Sequence, residues 1–108
     1  MNRYIASLDS RSALQDTRAG GKGASLAWLR RSGFDVPPGF VITSAAFQDF
    51  LTDLGIEALA QRRDRTQGDL ERIRELLLAC RIPARLSRPI QGTYRKLGGS
   101  VAARSSMV

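Results

Sequence analysis

The chain has no histidine and a single cysteine, Cys80, among 108 residues. It therefore has no zinc-finger spacing, and one cysteine builds no disulfide framework. The expectation is a reducing cytoplasm, with Cys80 as a small core residue in an apolar helical stretch. Aromatic residues are scarce, at 6%. No basic–aromatic interleaving of the kind that lines a single-strand binding groove is present. No stretch approaches the roughly 20 apolar residues of a membrane span, so no membrane partner is expected. The start, "MNRYIASLDSRS", lacks the apolar core of a secretory signal. Lysine is nearly absent too: of 17 basic residues, only Lys22 and Lys96 are not arginine.

What is present is ordinary for one small globular domain: 43% apolar and 25% charged residues. The net charge of +7 raises the question of nucleic acid. The arginines are scattered, however, apart from "QRRDR" at 61–65, which reads as a solvated loop between helices. Nucleic acid is not the expected partner. In so arginine-biased a chain, a lysine among three glycines suggests that a compact point charge is wanted there.

The pattern alternates short strands with helices. "RYIASL" (3–8) reads as a strand. Gly20–Gly23 reads as a loop opening a helix from 24 to about 32, with Leu26, Ala27 and Leu29 apolar and Gly33 as its C-terminal stop. Pro37-Pro38-Gly39 ends that unit, and "GFVIT" is a second strand. Thr43 or Ser44 caps a helix through 54, closed by Gly55. A further amphipathic helix covers 69–81, with Leu70, Ile73, Leu76 and Leu77 inward. Pro83 starts a helical stretch to about 97. Pro89 fits that stretch best if the helix begins at Ser87, which places the proline in the first turn. "SVAARSS" (100–106) is expected as a last strand. The expected core is Phe40, Ile42, Phe47, Phe50, Leu51, Ile73 and Leu77. The fold class is α/β (α+β), with short strands and several packed helices.

"GGKGASLAWL" (20–29) is the stretch with chemical content. It is neither a Walker A loop, since Gly23 follows Lys22, nor a dinucleotide fingerprint, since Leu26 stands where the third glycine belongs. A glycine-rich helix entry still offers amides, the positive end of a helix dipole and the Lys22 ammonium to an anion. On physics alone, a phosphate loop and a plain helix-entry turn remain equal readings. "AARSS" adds Arg104 and Ser105, which read either as phosphate partners or as the surface end of an edge strand.

Taken in order, "GGKGASLAWLRRSGFDVPPGFVIT", "FQDFL" and "VAARSS" resemble the N-terminal AMP/ATP-binding domain of the phosphoenolpyruvate synthase and pyruvate phosphate dikinase family, shared with rifampicin phosphotransferases. The resemblance runs from Tyr4 to Ser106. It implies the first lobe of an ATP-grasp-type domain, spanning 1–108. It implies that Lys22 and Arg104 contact ATP phosphates, with Gly20, Gly21 and Gly23 shaping the loop and Ser105 beside Arg104. "VPPGFVIT" would place the lobe. In such enzymes the β-phosphoryl of ATP passes to a histidine on a mobile domain, then to pyruvate, water or a drug hydroxyl.

The chain departs from that family in several places. It has no phosphoryl-accepting histidine and no catalytic residue of its own. Met107 stands where a small residue is usual, and Pro89 is unusual in its helix. Mg²⁺ ligands and adenine contacts are expected in a second lobe, and the phosphohistidine and acceptor-binding domains would be further partners. The chain is thus expected to be a truncated fragment, inactive alone. The alternative is a small basic module that binds RNA or a protein partner.

Overall fold

In the computed structural model the described residues are 3–105, the side chain of Asp16 excepted. Two three-residue strands, β1 (Ile5–Ser7) and β2 (Phe40–Ile42), pair antiparallel with Ile5 opposite Ile42, Ala6 opposite Val41 and Ser7 opposite Phe40. The ladder extends at both ends: Leu8 N–H donates to Gly39 O and Thr43 N–H to Tyr4 O, both at 3.0 Å. Between the strands come a 3-10 helix (Arg11–Leu14) and α1 (Asp16–Arg31). After them follow α2 (Ser44–Asp53), α3 (Glu57–Gln61), α4 (Gln67–Ala79) and α5 (Ala84–Leu97). The architecture is α+β, a mainly helical chain around one small sheet.

The core is built from small residues. Ala6, Leu8, Ala13 and Ala27 are buried together, with Leu14, Leu26, Val36 and Val41 packed on them. Small side chains let backbones approach. A Cβ built on Gly23 would lie 3.1 Å from Val41 Cγ2, and one on Gly39 would lie 3.1 Å from Leu8 Cδ1. α1 thus rests directly on β2.

The helix ends obey the sequence signals. α1 ends in a Schellman motif: Gly33 has φ 93°, Gly33 N–H donates to Arg30 O and Phe34 N–H to Leu29 O. α2 ends likewise at Gly55, with φ 71° and bonds to Thr52 O and from Ile56 to Leu51 O. Thr43 is the N-cap of α2, but its hydroxyl donates to Arg3 O at 2.6 Å instead of capping. α4 starts with a capping box that the sequence reading missed: Thr66 Oγ1 accepts from Asp69 N–H, and Asp69 accepts from Thr66 N–H. That second bond, chiefly, holds the Asp69 carboxyl below its ordinary pKa of 3.8. A depressed folded pKa stabilises above the unfolded value and loses that effect as pH falls through the folded one. Thr66→Ala should lower the urea midpoint by the equivalent of about 1 kcal/mol at neutral pH. An Asp69→Ala deficit should be full at neutral pH and fade below about pH 4.

Four expectations are corrected. The helix after the glycines starts at Gly21, not at 24, because only Gly20 leaves helical geometry. α5 begins at Ala84, not Ser87, so Pro89 lies in the helix interior and cannot donate to Arg85 O. Residues 100–105 are irregular and exposed, not a strand. Among the described residues the sheet has two strands, and neither pairs with that segment. Ser106 and Met107 lie outside the described residues.

The fourth concerns the core. Of the seven expected residues only Leu51 is buried, at 3% exposure; Ile42 and Phe47 are 50% and 54% exposed. Phe40, Phe50, Ile73 and Leu77 are half-buried. The sheet is covered on the face where Val41 meets α1, so the alternation of β2 turns Ile42 away from it. "QRRDR" is the solvated turn expected, with Arg62 Nε 3.2 Å from Asp64 Oδ1. Cys80 is half-buried, its thiol donating to Leu77 O.

Candidate functional site: the glycine turn of α1

Gly20 has φ 77° and ψ 161°, a conformation open to glycine almost alone, and it divides α1 into a first turn and a longer helix. The first turn is held in place from several sides. Arg18 Nη2 donates to Arg3 O at 3.2 Å, and Ser44 Oγ donates to Thr17 O at 2.8 Å. Ala19 and Gly20 are buried. The second segment therefore starts from a fixed point, with Gly21 and Lys22 both exposed to solvent.

The three glycines play different parts. Gly20 makes the turn, and Gly21 keeps the helix start free of side chain. Gly23 is buried against Val41, so its direct contribution is packing. Lys22 extends from between them. The second segment puts the positive pole of its dipole at this point, where negative charge is favoured by about 0.3–1 kcal/mol at an exposed site.

An open groove of about 680 Å³ runs from this turn along α1. Leu14, Gly21, Ala24, Ser25, Trp28 and Leu29 line it. Trp28, 59% exposed, is the residue that sequence reasoning passed over. The signal was there: Gly21, Ala24, Ser25 and Trp28 share a face at helical spacing.

The structure thus brings Gly20, Gly21, Lys22 and Gly23 into one turn. Arg104 and Ser105 are exposed in the irregular segment after α5. Among the described residues they make no hydrogen bond or ion pair, so no bond joins them to the turn. Among the described residues no group of three or more carboxylates and cysteines is placed to hold a metal ion. No helix is long and apolar enough to cross a membrane.

A helix entered through the left-handed Gly20, with Lys22 exposed in its first turn, carries the features that favour an anion at a helix start. Residues 16–108 match the family described as pyruvate phosphate dikinase, AMP/ATP-binding domain, and the chain belongs to that family. The match contains both the glycine turn and Arg104-Ser105. Among similar proteins, the phosphoenolpyruvate synthase of Aeropyrum pernix is 33% identical over 99 residues, covering 82% of this chain and 12% of that protein. A probable phosphoenolpyruvate synthase of Methanothermobacter thermautotrophicus is 42% identical over 57 residues, covering 53% and 8%. The prodigiosin synthesizing transferase PigC of Serratia marcescens is 34% identical over 104 residues, covering 94% and 11%. The chain spans about a tenth of the length of these relatives. No solved structure matches it.

Proposed function

We propose that this chain is the N-terminal, phosphate-gripping lobe of an ATP-grasp-type domain, part of an ATP-dependent phosphotransferase of the phosphoenolpyruvate synthase kind. One observation carries the reading: a single family match contains both the Gly20–Gly23 turn and the Arg104-Ser105 pair. In this reading Lys22 and the amides at the start of the second α1 segment hold ATP phosphate oxygens. Arg104 adds a planar fork to the same phosphates, and Ser105 a hydroxyl. Lysine suits the tight glycine turn, and arginine suits the open segment where two oxygens can be taken side by side.

Chemistry would then need more than this lobe. Mg²⁺, when bound, neutralises charge on the transferring phosphoryl group, and its ligands belong to a second lobe with the adenine contacts. The acceptor histidine, and the site that takes the phosphoryl group from it, belong to further domains of a cytoplasmic enzyme. The residues here bind and orient; they neither move a proton nor form a covalent bond. The 108-residue chain should therefore bind ATP no more tightly than about millimolar, and turn over none. Isothermal titration of wild type and Lys22→Ala at low salt tests this. Lys22→Ala should weaken ATP binding about tenfold, tripolyphosphate should compete nearly as well as ATP, and both should weaken as salt screens the exposed charges. Equal affinity in the two proteins would remove Lys22 from the site.

A further inference from the structure

The positive charge of the chain is segregated. Residues 1–75 carry 11 basic and 10 acidic side chains, whereas residues 76–108 carry six basic and no acidic ones. α5 holds four of those six: Arg85, Arg88, Arg95 and Lys96. Its apolar side faces the protein, with Leu86 buried and Ile90 and Leu97 half-buried. At 3.6 residues per turn, Arg88, Gly92 and Arg95 fall in line on the opposite side, with Lys96 one step round. Arg88, Gln91, Arg95 and Lys96 are exposed.

Arg85 is paired with Asp53 of α2. Among the described residues no carboxylate pairs with Arg88, Arg95 or Lys96. Between the arginines the surface is bare: a Cβ built on Gly92 would meet nothing within 4 Å. Beside it runs a groove of about 310 Å³ between α5 and β1, lined by Ile5, Pro89, Gly92, Thr93 and Lys96. The fold has thus collected arginines that look scattered in the sequence.

We propose that this face of α5 binds the sugar–phosphate backbone of a nucleic-acid duplex, independently of the nucleotide site on α1. Arg88 and Arg95 stand about 10.5 Å apart along the helix axis. Laid along the duplex axis, that length covers about three phosphate steps of one strand. Arginine forks take phosphate oxygens two at a time, and the side-chain-free surface at Gly92 lets the strand lie close. The line of Arg88, Gly92 and Arg95 carries no apolar side chain, so it lacks the buried anchor on which protein partners usually depend. Tyr94 of α5 is 45% exposed but sits about 100° round the helix from Arg95, so the line of Arg88, Gly92 and Arg95 stacks no base and binding should be indifferent to sequence.

The test is fluorescence anisotropy of the whole chain with labelled DNA and RNA duplexes of about 20 base pairs, at salt from about 50 to 200 mM. Three phosphate contacts give a slope of log affinity on log salt near −2.7, a loss of about 40-fold across that range. Arg88→Ala/Arg95→Ala/Lys96→Ala, all at exposed positions, should lose at least about tenfold at low salt and flatten the slope. Circular dichroism confirms that this variant is folded. Arg62→Ala/Arg63→Ala/Arg65→Ala, which removes the other basic cluster, should bind as wild type does. No binding of either duplex at low salt overturns the proposal. So does an α5 variant that binds like wild type, or a loss that follows the 62–65 variant instead. Displacement of the duplex by polyglutamate at equal charge would show an acidic protein surface to be the better partner and would equally overturn it.

Discussion

Leu51→Ala is expected to destabilise the chain by about 2–5 kcal/mol. Leu51 is the one large expected core residue that is in fact buried, at 3% exposure, on the inner side of α2. Its removal deletes transfer energy and leaves a cavity. A domain of this size has roughly 5–15 kcal/mol in hand, so the loss is a substantial share. Phe47→Ala, four positions earlier on the same helix, should cost under about 1 kcal/mol because Phe47 is 54% exposed. Urea unfolding of both variants reads the contrast. Equal losses would mean that α2 packs through Phe47 after all.

Gly20→Ala is the second large effect. At φ 77° and ψ 161° a side chain is strained whatever the space around it. The cost is about 1–3 kcal/mol if the turn is kept. If the turn is lost instead, α1 straightens and its entry moves away from the anchors that Arg3 and Ser44 provide. Both outcomes should also weaken phosphate binding, since Gly21 and Lys22 are placed by that turn. Gly33→Ala makes a useful companion: it strains a helix end with φ 93° that lies at the far end of α1. It should cost stability without touching phosphate affinity. A Gly20→Ala protein as stable as wild type would remove the turn from the account.

The local grammar of the chain was readable in its sequence. Gly33 and Gly55 stop helices because the left-handed conformation suits glycine, and that preference acts through nearest neighbours alone. Pro37-Pro38-Gly39 likewise confines the approach to β2. What could not be read was long-range. Phe47 and Ile42 are apolar, and pattern alone places them inward; whether a second layer covers them depends on what else packs there. α4 shows the same limit. Its amphipathic pattern is clear, yet among its residues none is fully buried, and Leu70 and Leu78 are 44% and 76% exposed. The radius of gyration, 15.3 Å, exceeds the roughly 13 Å of a compact domain this long, in keeping with that loose limb.

The candidate site divides in the same way. Gly20, Gly21, Lys22 and Gly23 are adjacent in sequence, so a helix entry near them was legible, but not that Gly20 alone would leave helical geometry nor that Gly23 would serve as a packing surface for Val41. The basic face of α5 was hidden because Arg88 stands seven residues before the Arg95-Lys96 pair, and the three gain meaning only once a helix aligns them. Arg104 belongs to a segment with no strand partner among the described residues, and its position relative to Lys22 is a matter of tertiary structure alone.

The central claim is that the α1 turn and the Arg104-Ser105 pair serve one phosphate chain. The most direct measurement is a two-dimensional amide NMR titration of the ¹⁵N-labelled 108-residue chain with ATP, repeated with tripolyphosphate. Concerted shifts are expected at Gly20, Gly21, Lys22, Arg104 and Ser105, following one binding curve for both ligands that moves to about tenfold higher concentration in Lys22→Ala. Shifts at the turn while Arg104 and Ser105 stay still, or at those two residues alone, would contradict it.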